Sequence, residues 1–97
     1  MEKQLHLFYS GKVQGIGFRY TVKDIANKLK VYGWVKNLDD SRVEVLAEAE
    51  EEKLNNFLEL VQQHFSHYIS EVSVEWFPAG SPAGSKSSES CDFQVVF

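Results

Sequence analysis

Two stretches of helical period set among five of strand period predict an α+β protein, a two-layer sandwich with two helices on one face of a sheet. Three observations carry this. The order along the chain is strand, helix, strand, strand, helix, strand, strand. Each helix has a single apolar stripe, enough to cover one sheet face and no more. The length, 97 residues, suits one core, so residues 1–97 are expected to form a single domain.

Strand one, residues 3–10, alternates Leu5, Leu7 and Tyr9 with His6, Phe8 and Ser10. Apolar groups on both sides predict a central strand, with His6 on the less buried face. Helix one is expected from Phe18 to Lys30, with Val22, Ile25, Ala26 and Leu29 at i, i+3, i+4 and i+7. Gly33 is expected as its left-handed stop or as the start of the next strand. Strand two, Gly33 to Leu38, takes its bulk from Trp34 and Val35, and Asp39-Asp40-Ser41 is turn chemistry. Strand three, Arg42 to Ala49, alternates Val43, Val45 and Ala47 with Glu44, Leu46 and Glu48, completing a hairpin.

Helix two, Glu50 to Phe65, carries the stripe Leu54, Phe57, Leu58, Val61, Phe65 and has Glu50, Glu51 and Glu52 in its first turn, where negative charge is stabilising. Strand four, Ile69 to Phe77, puts Val72, Val74 and Trp76 on one face. Residues 78–90 have almost nothing to bury and are expected to be a mobile connection. Phe93, Val95 and Phe97 then alternate as a short final strand. This is a ferredoxin-like β-α-β-β-α-β order with an extra short C-terminal strand.

Composition excludes several functions. No apolar run approaches the roughly 20 residues that span a bilayer, and the N-terminus lacks a signal-peptide layout. Cys91, the one cysteine, cannot form an internal disulfide, which points to a reducing, cytoplasmic setting. The net charge of −4 argues against nucleic acid as a partner. The charge is also uneven. Residues 1–42 hold eight Lys/Arg against four Asp/Glu, while residues 43–97 hold two against ten. A small anion suits the basic part better than a long polyanion would. His64 and His67 have the spacing of a metal pair without the further ligands a site needs.

The basic part contains Gly11-Lys12-Val13-Gln14-Gly15-Ile16-Gly17-Phe18-Arg19-Tyr20, between a strand pattern and a helix pattern. Glycines let a chain turn and present bare N–H groups. The first N–H groups of a helix have no partner within it and carry partial positive charge. Arg19 adds a planar fork of donors suited to phosphate or carboxylate. The stretch lacks the Gly-Lys-Ser/Thr ending of the nucleoside triphosphate loop, and its glycine spacing misses the dinucleotide fingerprint. On these residues alone two readings stay open: an anion cradle, or a glycine turn that serves geometry only. Asn37 is likewise either functional or a strand-end residue favouring the turn. Trp34 and Tyr20 are expected as core and packing residues.

The first motif, Gly11 to Arg19, together with Gly33-Trp34-Val35-Lys36-Asn37 and then Asp39, Val43 and Glu44, resembles the acylphosphatase family in spacing and order over nearly the whole chain. The resemblance implies a mixed sheet and hydrolysis of acyl phosphates to a carboxylate and inorganic phosphate. It implies a small cytoplasmic enzyme, expected as a monomer, that needs no metal and no organic cofactor. Arg19 would bind the phosphoryl group with loop amides of Val13, Gln14, Gly15, Ile16, Gly17 and Phe18. Asn37 would hold the attacking water. Lys12 and Lys36 would add to the positive field without direct contact.

Three features depart from the family pattern. The hairpin turn is Asp39-Asp40-Ser41-Arg42 where Asp-Gly is usual. Helix two ends Gln63-His64-Phe65-Ser66-His67 without a Gly-Pro pair. The 78–90 connection is rich in Ser and Gly. In some members the C-terminal carboxylate, here that of Phe97, approaches the arginine. The alternative is a non-catalytic anion-binding or regulatory module on the same fold. An RNA reader fits poorly, because strand three has no aromatic residue to stack bases.

Overall fold

The computed structural model describes residues 2–78 and 93–96. The elements are β1 (Glu2–Gly11), α1 (Phe18–Leu29), β2 (Tyr32–Asn37), β3 (Val43–Glu50), α2 (Glu51–His64), β4 (Ile69–Pro78) and β5 (Phe93–Val96). The expected order is therefore the observed one. The connection between β4 and β5, with Cys91, and the C-terminal Phe97 lie outside the described residues, and so do the expectations attached to them.

The sheet order is β4-β1-β3-β2-β5. The β1–β3, β1–β4 and β2–β3 pairs are antiparallel and β2–β5 is parallel, so the sheet is mixed. β1 is an inner strand of the antiparallel set, between β3 and β4. Its alternation sorts the two faces. Leu5, Leu7 and Tyr9 stand level with Ala47, Val45 and Val43 of β3, and all six are buried under the helices. Gln4, His6 and Phe8 face the other side, level with Glu48, Leu46 and Glu44. On that open face His6 Nε2 meets Glu44 Oε2 at 2.7 Å, and the Arg42 guanidinium lies 4.9 Å from the centre of the Phe8 ring.

Both helices lay their apolar stripes on the first face. Phe18, Val22, Ile25 and Ala26 of α1 and Leu54, Phe57 and Val61 of α2 are buried. Phe57 reaches β5, with its ring 6.0 Å from that of Phe93. Fully burying one such side chain contributes about 1.5–3 kcal/mol, so the two stripes account for much of what holds the layers together.

The structure decides between the two readings of Gly33 and corrects the one of Trp34. α1 ends where expected, with Lys30 as its C-cap. Lys30 takes the left-handed conformation at φ 59°. Val31 N–H then reaches Ala26 O at 2.8 Å and Lys30 N–H reaches Asn27 O at 3.3 Å. This pair of bonds is the Schellman closure, and it holds with a non-glycine because the buried Val31 packs the exit. Gly33 takes the second of its two expected places, at the start of β2. A Cβ there would stand 1.9 Å from Leu46 O, so the close pairing of β2 with β3 excludes any other residue. Trp34, expected in the core, is half-buried on the open face, because its neighbours Gly33 and Val35 take the helix side.

Candidate active site

The loop from Lys12 to Gly17 leaves β1 and returns the chain into α1. Several groups hold it. Lys12 N–H donates to Tyr68 O at 2.8 Å. Val13 is buried in the core. Gly15 and Gly17 are both left-handed, at φ 79° and 77°, and a Cβ on either would meet nothing within 4 Å. They are glycine for the backbone path and not for lack of room.

Gly17 is also the N-cap of α1, with no side-chain cap bond, and the first turn holds no acidic residue. Thr21 N–H closes the first helical bond to Gly17 O at 3.1 Å. The N–H groups of Phe18, Arg19 and Tyr20 precede that bond and lie at the positive end of the helix. Phe18 fixes where this end stands. Its buried ring packs 5.2 Å from Tyr9 and 4.6 Å from Phe65. Burial pushes the Tyr9 hydroxyl well above the ordinary tyrosine range, so this support is neutral.

Asn37 arrives from the other side as the last residue of β2. It stands opposite Val43 in the ladder, so its side chain belongs to the helix-bearing face. Its Oδ1 is buried and has no hydrogen-bond partner among the described residues. A buried amide oxygen in that condition is uncommon and asks for a reason.

Val13, Gly15, Gly17, Phe18, Arg19, Tyr20 and Asn37 line one cavity of about 190 Å³. Sites for drug-sized ligands run from about 300 Å³ upward, so this one suits a phosphoryl group and a water. A second hollow of about 350 Å³ lies between the helices, lined by Leu29, Asn56, Glu59, Leu60 and Gln63. It offers an acidic side chain and no cation, the wrong chemistry for an anion.

The two separate motifs thus meet at one place. Of the candidate residues, Val13, Gly15, Gly17, Phe18, Arg19 and Asn37 line the cavity, whereas Gln14 and Ile16 do not. Ile16 is 37% exposed. Gln14 turns its side chain toward the β2–β3 turn. Lys36 alternates to the open face, level with Glu44, and Lys12 is exposed outside the cavity lining.

Tyr20 corrects the reading from the sequence. It lines the cavity and is 54% exposed, not a packing residue. The helical period already carried this signal, because Tyr20 falls off the stripe set by Val22, Ile25, Ala26 and Leu29.

The fold defines the class, a ferredoxin-like sandwich with a small cavity between its first loop and the end of β2. A family model described as Acylphosphatase matches residues 5–86. The acylphosphatase of Bacillus velezensis is 55% identical over 60 residues, which span 62% of this chain and 67% of that protein. The acylphosphatase of Pseudomonas aeruginosa is 42% identical over 83 residues, 82% of this chain and 89% of that protein. The crystal structure of acylphosphatase from Bacillus subtilis matches with a TM-score of 0.81 at 38% identity, covering 98% of this chain and 99% of the other. The chain belongs to the acylphosphatase family, and it is an enzyme that hydrolyses the carboxyl–phosphate bond of acyl phosphates.

Proposed function

We propose that the hydrolysis takes place in the cavity between the first loop and the end of β2, by in-line attack of water on phosphorus. The observation that carries this reading is the unpartnered, buried Oδ1 of Asn37 in the same small cavity as Arg19 and the α1 N-terminus. Arg19 and the backbone N–H groups from Val13 to Phe18 bind the phosphoryl oxygens of the acyl phosphate and steady their charge. Asn37 accepts a hydrogen bond from the water at Oδ1 and can donate one to it through Nδ2. The water oxygen bonds to phosphorus as the bond to the acyl oxygen breaks, and the electron pair leaves with the carboxylate. The water proton passes to a phosphoryl oxygen, so the products are carboxylate and inorganic phosphate.

An acyl phosphate is a mixed anhydride with a good leaving group. Positioning and charge stabilisation therefore supply most of what the reaction needs. Asn37 orients water and need not act as a base. No step on this route calls for a metal, an organic cofactor or a covalent phosphoenzyme. The acidic chain and the size of the cavity support a small-molecule substrate over a nucleic acid or a membrane surface. We place the enzyme in the cytoplasm, as a monomer, with residues 1–97 acting as one domain.

The test is phosphate release from benzoyl phosphate in the presence of EDTA, with Arg19→Ala beside the wild type. Fast, EDTA-resistant hydrolysis that is lost in the variant, together with weakened inhibition by inorganic phosphate, is the expected result. Undiminished turnover by the variant would remove Arg19 from the site.

A further inference from the structure

The side chain of Gln14 does not face the cavity. Its Nε2 donates to Leu38 O at 2.8 Å and to Arg42 O at 3.0 Å. Those two carbonyls belong to the residues that close the β2–β3 turn. Leu38 N–H donates to Arg42 O at 2.8 Å, and Ser41 N–H donates to Leu38 O at 3.3 Å. Each carbonyl therefore already accepts one backbone bond, and Gln14 occupies its second lone pair. A primary amide has two protons in a fixed fork, one for each carbonyl. The orientation of the amide is forced, since the flipped form would set its oxygen against both carbonyls.

Leu38 directly follows Asn37, and Gln14 directly precedes Gly15. The clamp therefore joins the loop proposed to bind phosphate to the strand end proposed to hold water. We infer that Gln14 is a positioning residue that fixes the distance and angle between the phosphoryl group and the attacking water. The inference rests on the site reading above.

Its consequence differs from that of losing the cradle. The loop keeps its other anchors, the buried Val13, the Lys12 N–H bond to Tyr68 O and the helix start at Gly17. Phosphate binding should thus survive without the clamp, while alignment should not. A misplacement of about 1 Å can cost about 100-fold in rate.

The experiment compares Gln14→Met, close in length and without donors, with Gln14→Glu, Arg19→Ala and wild type, all on benzoyl phosphate. Each is measured for kcat, for the inhibition constant of inorganic phosphate and for its urea midpoint. Gln14→Met should lose about 10- to 100-fold in kcat, with its phosphate inhibition constant within about threefold of wild type. Gln14→Glu should be slower still, because a carboxylate would face two carbonyl oxygens.

Folded Gln14 variants with wild-type kcat would overturn the clamp while Arg19→Ala still upheld the site. A parallel loss of kcat and phosphate affinity would also overturn it, by making the Gln14 side chain part of the cradle to which its backbone N–H is assigned. Should the variants fail to fold, hydrogen exchange at the Gln14 side-chain amide of the wild type decides. Slow exchange supports the clamp, and exchange as fast as that of an exposed glutamine overturns it.

Discussion

Asn37 stands directly across the β2–β3 ladder from the fully buried Val43, so an amide occupies a position where the fold otherwise sets an apolar group. Leaving its buried Oδ1 without a donor costs about 1–3 kcal/mol. Folding supplies no return for that cost, whereas the water alignment proposed for Asn37 would. Asn37→Ala should therefore separate activity from stability. We expect kcat to fall by about 100- to 1,000-fold, with the phosphate inhibition constant within about threefold of wild type because the cradle is intact. Stability should hold or rise by up to about 1 kcal/mol. Paired turnover and urea-unfolding measurements check this, and a marked loss of stability would mean that Asn37 serves the fold.

The turn beside Asn37 carries strain at a known place. Leu38 and Arg42 close a three-residue turn in which Ser41 is left-handed at φ 75°. This is a type I turn followed by the left-handed residue that usually is glycine. A side chain in that conformation costs about 1–2 kcal/mol, part of which glycine loses again through its freer unfolded chain. Ser41→Gly should stabilise the protein by about 0.5–1 kcal/mol and leave kcat near wild type. A β-branched Ser41→Val should destabilise it by about 1–2 kcal/mol. Urea midpoints read both.

What the sequence disclosed follows from which signals are local. Leu5, Leu7 and Tyr9 at period two, and the stripes led by Val22 and Leu54, reported burial directly, and the element order followed from them. The site motifs were legible because glycines and an arginine mark a loop whatever its partners are. Contacts across the chain were not legible. The bonds from Gln14 to Leu38 and Arg42 join positions 24 and 28 apart, which no local period encodes. The left-handed closure at Lys30 was hidden because a Schellman motif needs a backbone conformation and not a particular side chain. Trp34 was misplaced because bulk suggested core, whereas the parity set by Gly33 and Val35 decides the face.

Tyr9 gives the fold a predictable response to alkali. It is fully buried, its hydroxyl has no partner among the described residues, and burial raises its ionisation above the ordinary value of 10.0. The folded state then holds this proton more tightly than the unfolded one. That contribution is fully present below the unfolded value near pH 10 and is lost progressively as pH rises above it. Tyr9→Phe should remove this part of the alkaline loss. At pH 7 it should leave stability unchanged or raise it by up to about 1 kcal/mol, since no hydrogen bond is given up. Unfolding curves of both proteins from pH 7 to pH 11 test it, and a variant clearly weaker at pH 7 would show that the hydroxyl is bonded.

Tyr20 bears on which acyl groups the enzyme prefers. If the cavity of about 190 Å³ takes the phosphoryl end of the substrate, as proposed, it has little room for the rest, and the acyl group would pass over the lip. Tyr20 follows Arg19, lines the cavity and is 54% exposed, which leaves an aromatic surface at that lip. An offset or edge contact between aromatic rings contributes about 0.5–1.5 kcal/mol, or about 2- to 12-fold in affinity. Tyr20→Ala should therefore raise KM for benzoyl phosphate by about that factor. Acetyl phosphate, which has no ring to place there, should change by less than about twofold, and inorganic phosphate should inhibit as before. Tyr20→Phe should retain the preference for benzoyl over acetyl phosphate. An equal effect of Tyr20→Ala on both substrates would mean that the acyl group leaves the cavity by another side and that Tyr20 acts on the phosphoryl end.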